Sequence, residues 1–401
     1  MRFRSPRRAA QALAALGAAL ALAAGGPAAS ARAAAPPLPD LNITGTYVTG
    51  VSSGGFMATQ LQVAYSGTFD GAGIVAAGPY DCGQGHVIEF VTCDLGLGVG
   101  DLERQAEDWA SEGRIDPVAN LRGKPVYAYH GTLDPVVNPL VSRAGVDFYE
   151  HFGADVTYHD RDPAGHSWPT PDGVVPCALT LPPFLNNCHD DPEQEMLTAW
   201  LGGVNPPNTG APRGTLTYFD QNAYAPGGSA RALSMDSTGQ LYLPPACANG
   251  APCKLVVALH GCLSAQQLLG TAFAEKSNID TYADTNNLVV LYPQAVSSVW
   301  PVNPQGCWDW FGYTGSDYAV KSAPQMTAVV NMVHALGARP APAVPAVPVP
   351  AVPAVRGPGT AGPGPLRRRE RRSGGPLTDV RGPAPPPAHA GPSWSGRGPR
   401  W

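Results

Sequence analysis

The segment Thr49-Gly50-Val51-Ser52-Ser53-Gly54-Gly55-Phe56-Met57 places one serine inside a G-x-S-x-G spacing. A β-branched approach, Tyr47-Val48-Thr49, precedes it, and a helix-compatible run from Gly55 to Gln62 follows. A strand that turns sharply into a helix holds its corner serine strained and exposed, and the tight corner leaves no room for a Cβ at Gly50 or Gly54. The chemistry this suggests is nucleophilic attack by the Ser52 hydroxyl. With 47 glycines in 401 residues the spacing also arises by chance in a Gly/Ser loop, so the partners decide.

A serine nucleophile needs a general base, a carboxylate that orients the base, and N–H donors for the developing oxyanion. The carboxylate candidates are Asp134, Asp147 and Asp162. Asp134 is preferred because it sits in a turn just beyond a buried strand, in His130-Gly131-Thr132-Leu133-Asp134-Pro135-Val136; Asp147 falls mid-helix, and Asp162 lies too close to His166. His166, in Gly165-His166-Ser167-Trp168 after a further strand, is the base candidate. His151 and His159 read as surface helix and strand positions, His130 as a structural histidine at a strand end, and His260 as part of another element.

These residues need a scaffold, and the chain alternates strands with helices. Strands are expected at 43–49, 69–78, 155–159, 254–262 and 288–293, with a further short strand and its acidic loop within 125–137 and a hairpin at 216–219 and 241–243. Helices are expected at 55–66, 102–112, 140–152, 191–201, 265–286 and 323–336. Polar residues just after strands indicate an α/β sheet with its site at the strand C-terminal edge. Asp190, Asp191, Glu193 and Glu195 could suggest Ca²⁺, but Asp191-Pro192-Glu193 is simpler as a helix start with its N-cap, first-turn proline and acids.

Arg2, Arg4, Arg7 and Arg8, an Ala/Leu run to Ala24 and the Ala29-Ser30-Ala31 cleavage candidate mark residues 1–31 as a secretory signal peptide. The Arg7-Arg8 pair raises the twin-arginine route, although Ala-Ala-Gln after it is a poor match. Eight cysteines in an exported chain imply disulfides, and neighbours in sequence suggest Cys82–Cys93, Cys177–Cys188 and Cys247–Cys253, leaving Cys262 for Cys307. Residues 1–39 carry 5 basic and no acidic side chains, residues 40–337 carry 11 basic and 29 acidic, net −18, and residues 338–401 carry 10 basic and 2 acidic, net +8. A body at −18 repels nucleic acid and anionic membranes, so a neutral or cationic partner is expected. The Ala-Pro-Val and Gly/Pro/Arg-rich stretch 338–401 reads as a linker or disordered tail.

His260-Gly261-Cys262 decides the topology. In an α/β-hydrolase the His-Gly strand end precedes the nucleophile and supplies the second oxyanion N–H; here it follows His166 by almost a hundred residues. Read from Thr215 onward and then back to the elbow, the pieces fall into the usual order, with 203–213 as the joint between old termini. The expected fold is therefore a circularly permuted α/β-hydrolase over residues 40–337.

The motifs at 50–58, 130–134, 165–168, 260–262 and 307–310 (Cys-Trp-Asp-Trp) resemble the secreted short-chain polyhydroxyalkanoate (polyhydroxybutyrate) depolymerases with the permuted catalytic domain. The resemblance implies Ser52 as nucleophile, His166 as base, Asp134 as its partner, and the N–H groups of Ser53 and Cys262 as oxyanion hole. It also implies Trp308 and Asn303 along the polymer cleft, beside a Cys262–Cys307 bridge. Members often continue into a substrate-binding domain, so the tail could be a frameshifted remnant of one. The expected activity is serine-esterase hydrolysis of a neutral hydroxyalkanoate polyester, by a monomer with no cofactor, no metal, and no nucleic-acid or membrane partner. A feruloyl or acetyl-xylan esterase and an inactive polymer-binding protein are the alternatives.

Overall fold

Val256 and Val257 are neighbours in one strand, yet they serve different cores: Val257 packs with Val48, Met57 and Val329, and Val256 with Tyr47, Met196 and Tyr282. Successive strand side chains point to opposite faces, so a strand buried on both must be apolar throughout, as Lys254–Leu259 nearly is. The computed structural model describes residues 35–84 and 98–339. The signal-peptide assignment, Cys93 and most of the 338–401 tail lie outside the described residues.

The chain enters through β1 (Ile43–Val51), β2 (Gly71–Val75), β3 (Pro125–Tyr129) and β4 (Asp155–His159). A small sheet follows, made of β5 (Trp168–Pro169), β6 (Val175–Pro176) and β7 (Leu185–Asn187). Then come β8 (Thr215–Asp220), β9 (Thr238–Leu243), β10 (Cys253–Leu259) and β11 (Leu288–Tyr292). The main sheet has the order β4-β3-β2-β1-β10-β11-β9-β8. It is parallel except for β9, which pairs antiparallel with both β8 and β11.

Two contacts explain the permuted order. At one, the Leu41 N–H donates to the Leu336 carbonyl at 3.1 Å, so the end of the Pro324–Ala335 helix lies beside the entry to β1. At the other, the joint 203–213 is fastened to the Ile279–Asn286 helix: the Asn205 N–H donates to Asn286 Oδ1 at 2.7 Å, and Asn208 Nδ2 to Asp284 Oδ2 at 2.8 Å. Begun at Thr215 and closed at Leu336/Leu41, the strands run hairpin, His-Gly strand, β11, elbow strand, then outward to β4. That is the α/β-hydrolase order read from another starting point.

The Ser53–Ala64 helix is buried at all twelve positions, the signature of a helix enclosed on every side. Its polar Gln60 donates through Nε2 to the carbonyls of Asp309 (3.1 Å) and Tyr318 (3.3 Å), tying the aromatic segment to the helix behind the elbow. The long helix expected over 265–286 is broken into Gln266–Leu269, Ala272–Lys276 and Ile279–Asn286. Gly270 and Asn278 both take φ near +61°, which ends a right-handed helix at each point. Asp191 caps the Pro192–Leu201 helix, accepting from the Gln194 N–H at 3.0 Å.

Candidate active site

Ser52 stands between β1 and the Ser53–Ala64 helix at φ 58° and ψ −125°. A non-glycine residue held there costs on the order of 1–3 kcal/mol. Two hydrogen bonds impose it: the Ser52 N–H donates to the Val75 carbonyl (2.9 Å), and the Phe56 N–H donates to the Ser52 carbonyl (3.0 Å). Both neighbouring glycines are required by close approach. A Cβ on Gly50 would sit 2.4 Å from the Gly54 backbone, and one on Gly54 would sit 2.3 Å from the Leu259 carbonyl oxygen.

The loops after β3 and β4 are zipped together, which brings Asp134 to His166. The Thr132 N–H donates to the Asp162 carbonyl (2.8 Å) and the Leu133 N–H to the Ala164 carbonyl (3.1 Å). Asp134 Oδ2 then lies 2.8 Å from His166 Nδ1. The Asp134 side chain is fully buried, and its Oδ1 accepts from the N–H groups of Val136 (2.7 Å) and Val137 (3.0 Å). Burial opposes its ionisation, but the His166 bond, the His166 charge and these two amides outweigh it and hold the carboxyl below the usual range. Asp134 is therefore an anion at neutral pH, and it fixes the imidazole ring by Nδ1. The His166 N–H donates to Thr180 Oγ1 (2.8 Å), so the loop closed by the Cys177–Cys188 disulfide also positions the ring.

The other acids and histidines go elsewhere. Asp147 pairs with Arg143 on the surface, and Asp162 accepts from the Tyr129 hydroxyl at 2.9 Å. His130 Nδ1 meets Ser142 Oγ at 3.0 Å, and His151 is exposed beside Glu103. His159 departs from its expected surface position. It is 1 % exposed and surrounded by carboxylates, because β4 ends under the Pro192–Leu201 helix instead of at solvent.

His260 acts on the backbone. Its Nε2 accepts from the Ala295 N–H (3.1 Å), so the proton sits on Nδ1 and is donated to the Gly261 carbonyl (2.7 Å). Protonating Nε2 would set two donors against each other, and burial pushes the group down to about 4. The unfolded chain takes up this proton near pH 6.5 and the folded chain only near 4, so stability is lost as pH falls through that window. The loss amounts to about 3 kcal/mol. Melting temperatures between pH 7 and 4 are expected to fall less steeply in His260→Gln than in the parent; equal slopes would remove His260 as the source.

Held this way, Gly261 faces Ser52: a Cβ there would lie 3.3 Å from Ser52 Cβ. Cys262 is bonded to Cys307, and the Trp308 N–H donates to Ser53 Oγ (3.3 Å). The disulfides Cys177–Cys188, Cys247–Cys253 and Cys262–Cys307 are all formed. Ser52, Ser53, His166, Gly261 and Cys262 line one cleft of about 320 Å³, with Phe56, Val136, Phe184, Leu263, Gln305 and Trp310.

Trp308 and Asn303 are not on that cleft. Trp308 is fully buried against His260, with ring centroids 5.5 Å apart, because the Cys307 bridge and the Ser53 contact draw it beneath the elbow. Asn303 is 2 % exposed and folds its own loop, accepting from the Cys307 N–H (2.9 Å) and donating to the Cys307 carbonyl (2.8 Å). The tryptophan that lines the cleft is Trp310, stacked on Phe56 at 4.4 Å. Cys-Trp-Asp-Trp offers two indoles, and nothing in the spacing says which one faces the cleft. Phe56, two residues past Gly54 on the elbow helix, was the legible signal for an apolar wall.

A family model described as esterase PHB depolymerase matches residues 237–342. The Talaromyces funiculosus polyhydroxybutyrate depolymerase is 36% identical over 323 residues, covering 76% of this chain and 93% of that protein. The chain belongs to the PHB depolymerase family of esterases. The Delftia acidovorans poly(3-hydroxybutyrate) depolymerase is 39% identical over 308 residues, 74% of this chain; the chain spans 60% of the length of that relative. The crystal structure of the Penicillium funiculosum PHB depolymerase superposes with a TM-score of 0.68 at 35% identity, covering 75% of this chain and 99% of that one. A serine-to-alanine variant of PHB depolymerase complexed with an R3HB trimer matches equally, with a TM-score of 0.68 at 34% identity.

Proposed function

We propose that this depolymerase-family chain is an exported serine esterase that cleaves poly(3-hydroxybutyrate)-type polyester. Ser52 Oγ attacks the ester carbonyl while His166 Nε2 takes the hydroxyl proton. The ionised Asp134 stabilises the imidazolium and keeps its Nδ1 proton in place. The N–H groups of Ser53, first in its helix and without an intrahelical acceptor, and of Cys262 hold the oxyanion. His166 then protonates the departing alkoxide oxygen, which leaves as an alcohol, and water, activated by the same imidazole, releases the 3-hydroxyacyl group from Ser52.

The observation that carries this reading is that the strained Ser52 and the base of the Asp134–His166 pair open on one largely apolar cleft. Exposed Val136 and Leu263 line it, which suits a water-insoluble neutral chain, as does the −18 body that would repel anionic polymers. Export rests on the sequence of residues 1–31 and on the disulfides.

Product analysis tests the substrate. Polyhydroxybutyrate is expected to yield 3-hydroxybutyrate monomers and oligomers, with feruloylated and acetylated glycans left intact. Release of ferulate or acetate with the polymer untouched would overturn the assignment in favour of a carbohydrate-ester esterase.

A further inference from the structure

The acidic run at 190–195 divides in the structure. Asp191 caps its helix, whereas Asp190 and Glu195 turn toward the buried His159. We propose that His159, Asp162 and Asp190 bind a divalent transition-metal ion, zinc being the ion this donor set suits best.

The geometry is that of a ligand set. His159 Nε2 lies 3.1 Å from Asp162 Oδ2 and 3.8 Å from Asp190 Oδ2, and the three donor atoms all fall within 4.8 Å of one another. Two ligands each about 2.1 Å from one zinc ion stand roughly 3.0–3.4 Å apart at octahedral or tetrahedral angles. Nε2 is nevertheless a buried nitrogen with no hydrogen-bond partner, so the ring does not aim an N–H along the line to Asp162. An imidazolium ion-paired with that carboxylate would do so.

The surrounding groups orient the donors. His159 Nδ1 meets Glu195 Oε2 at 2.8 Å, the carboxylate–histidine arrangement that fixes the tautomer with Nε2 as the ligating nitrogen. The Tyr127 hydroxyl donates to the same Glu195 oxygen (3.0 Å), and the Tyr129 hydroxyl to Asp162 Oδ2 (2.9 Å). The Asp191 N–H holds Asp190 Oδ1 at 2.9 Å, leaving Oδ2 for the ion. Arg161, 71 % exposed, reaches Glu195 at 3.4 Å and stands 3.5 Å from His159 Nδ1, farther than the 2.8 Å Glu195 contact and on the ring nitrogen outside the donor set. The imidazole nitrogen disfavours calcium and magnesium, which take oxygen cages. Asp162 lies on the loop that carries His166, and its carbonyl accepts from Thr132 on the loop that carries Asp134, so an ion here would tether both loops to β4 without touching the reacting atoms.

The test uses the full chain after dialysis against EDTA, titrated with zinc chloride by calorimetry and followed by thermal melting. About one equivalent is expected to bind, raising Tm by about 4 °C at zinc a hundredfold above Kd. Asp190→Asn, at a half-exposed position that leaves the fold intact, and His159→Gln should each abolish the binding and the shift. Zinc binding unchanged in Asp190→Asn, no saturable site in the parent, or an equal shift with calcium would each overturn the proposal.

Discussion

Replacing Ser52 with alanine is expected to lower p-nitrophenyl butyrate hydrolysis by at least about 10⁴-fold and to end clearing of a polyester emulsion. The side chain contributes one oxygen, and none of the hydrogen bonds that hold the elbow uses it: the Val75 and Phe56 contacts are both backbone. Fold and melting temperature should therefore survive. Ser52→Gly sharpens the test, because glycine adopts φ 58° without strain. That variant is expected to be as inactive as the alanine form and more stable than the parent by about 1 kcal/mol. Loss of activity with gain of stability on removing one small side chain is the mark of a strained catalytic corner. Retained hydrolysis in Ser52→Ala would remove Ser52 as the nucleophile, whatever the melting curves say.

The second large effect is expected at the Cys262–Cys307 bridge. The double variant Cys262→Ser/Cys307→Ser should lose about 2–5 kcal/mol of stability, since the bond closes a loop with a sequence separation of 45. It should also lose kcat by about 10²–10³-fold, the usual cost of one oxyanion donor. The reason is mechanical: the proposed donor is the Cys262 N–H, and its loop is tied down by the Cys307 bond on one side and the His260–Gly261 contact on the other. Kinetics well below the new melting temperature separate the two losses. An unchanged kcat would mean that His260 alone positions the loop, and the bridge would then be a stability element only.

Much of this was legible because the informative residues sit where the chain changes direction. Gly50 and Gly54 are readable as glycines with a steric duty, Asp134 stands just past an apolar strand, and His166 stands in the loop after the next strand. The alternation of apolar runs with helix-period segments was enough to show the sheet, and the late His-Gly to show its permutation. Asp191-Pro192 announced its helix locally. What failed was what depends on neighbours remote in sequence. The 265–286 helix looked continuous because the backbone at Gly270 and Asn278 is set by packing on the sheet. His159 looked like a surface residue until the Pro192–Leu201 helix, some thirty residues on, covered it.

The order of motifs along the chain was sufficient to show the fold class and the permutation and to nominate Ser52, Asp134 and His166 as one proposed set, since each motif is marked by local chemistry at a strand end. Tertiary structure alone decided which tryptophan faces the cleft. Trp308 and Trp310 are equally apolar and two residues apart, so the choice falls to contacts hundreds of residues away in sequence: Trp308 N–H on Ser53, and Trp310 on Phe56. The division of the acidic run was settled in the same way. Asp190 and Asp191 are chemically alike, and only the position of His159 at the end of β4 gives them different work.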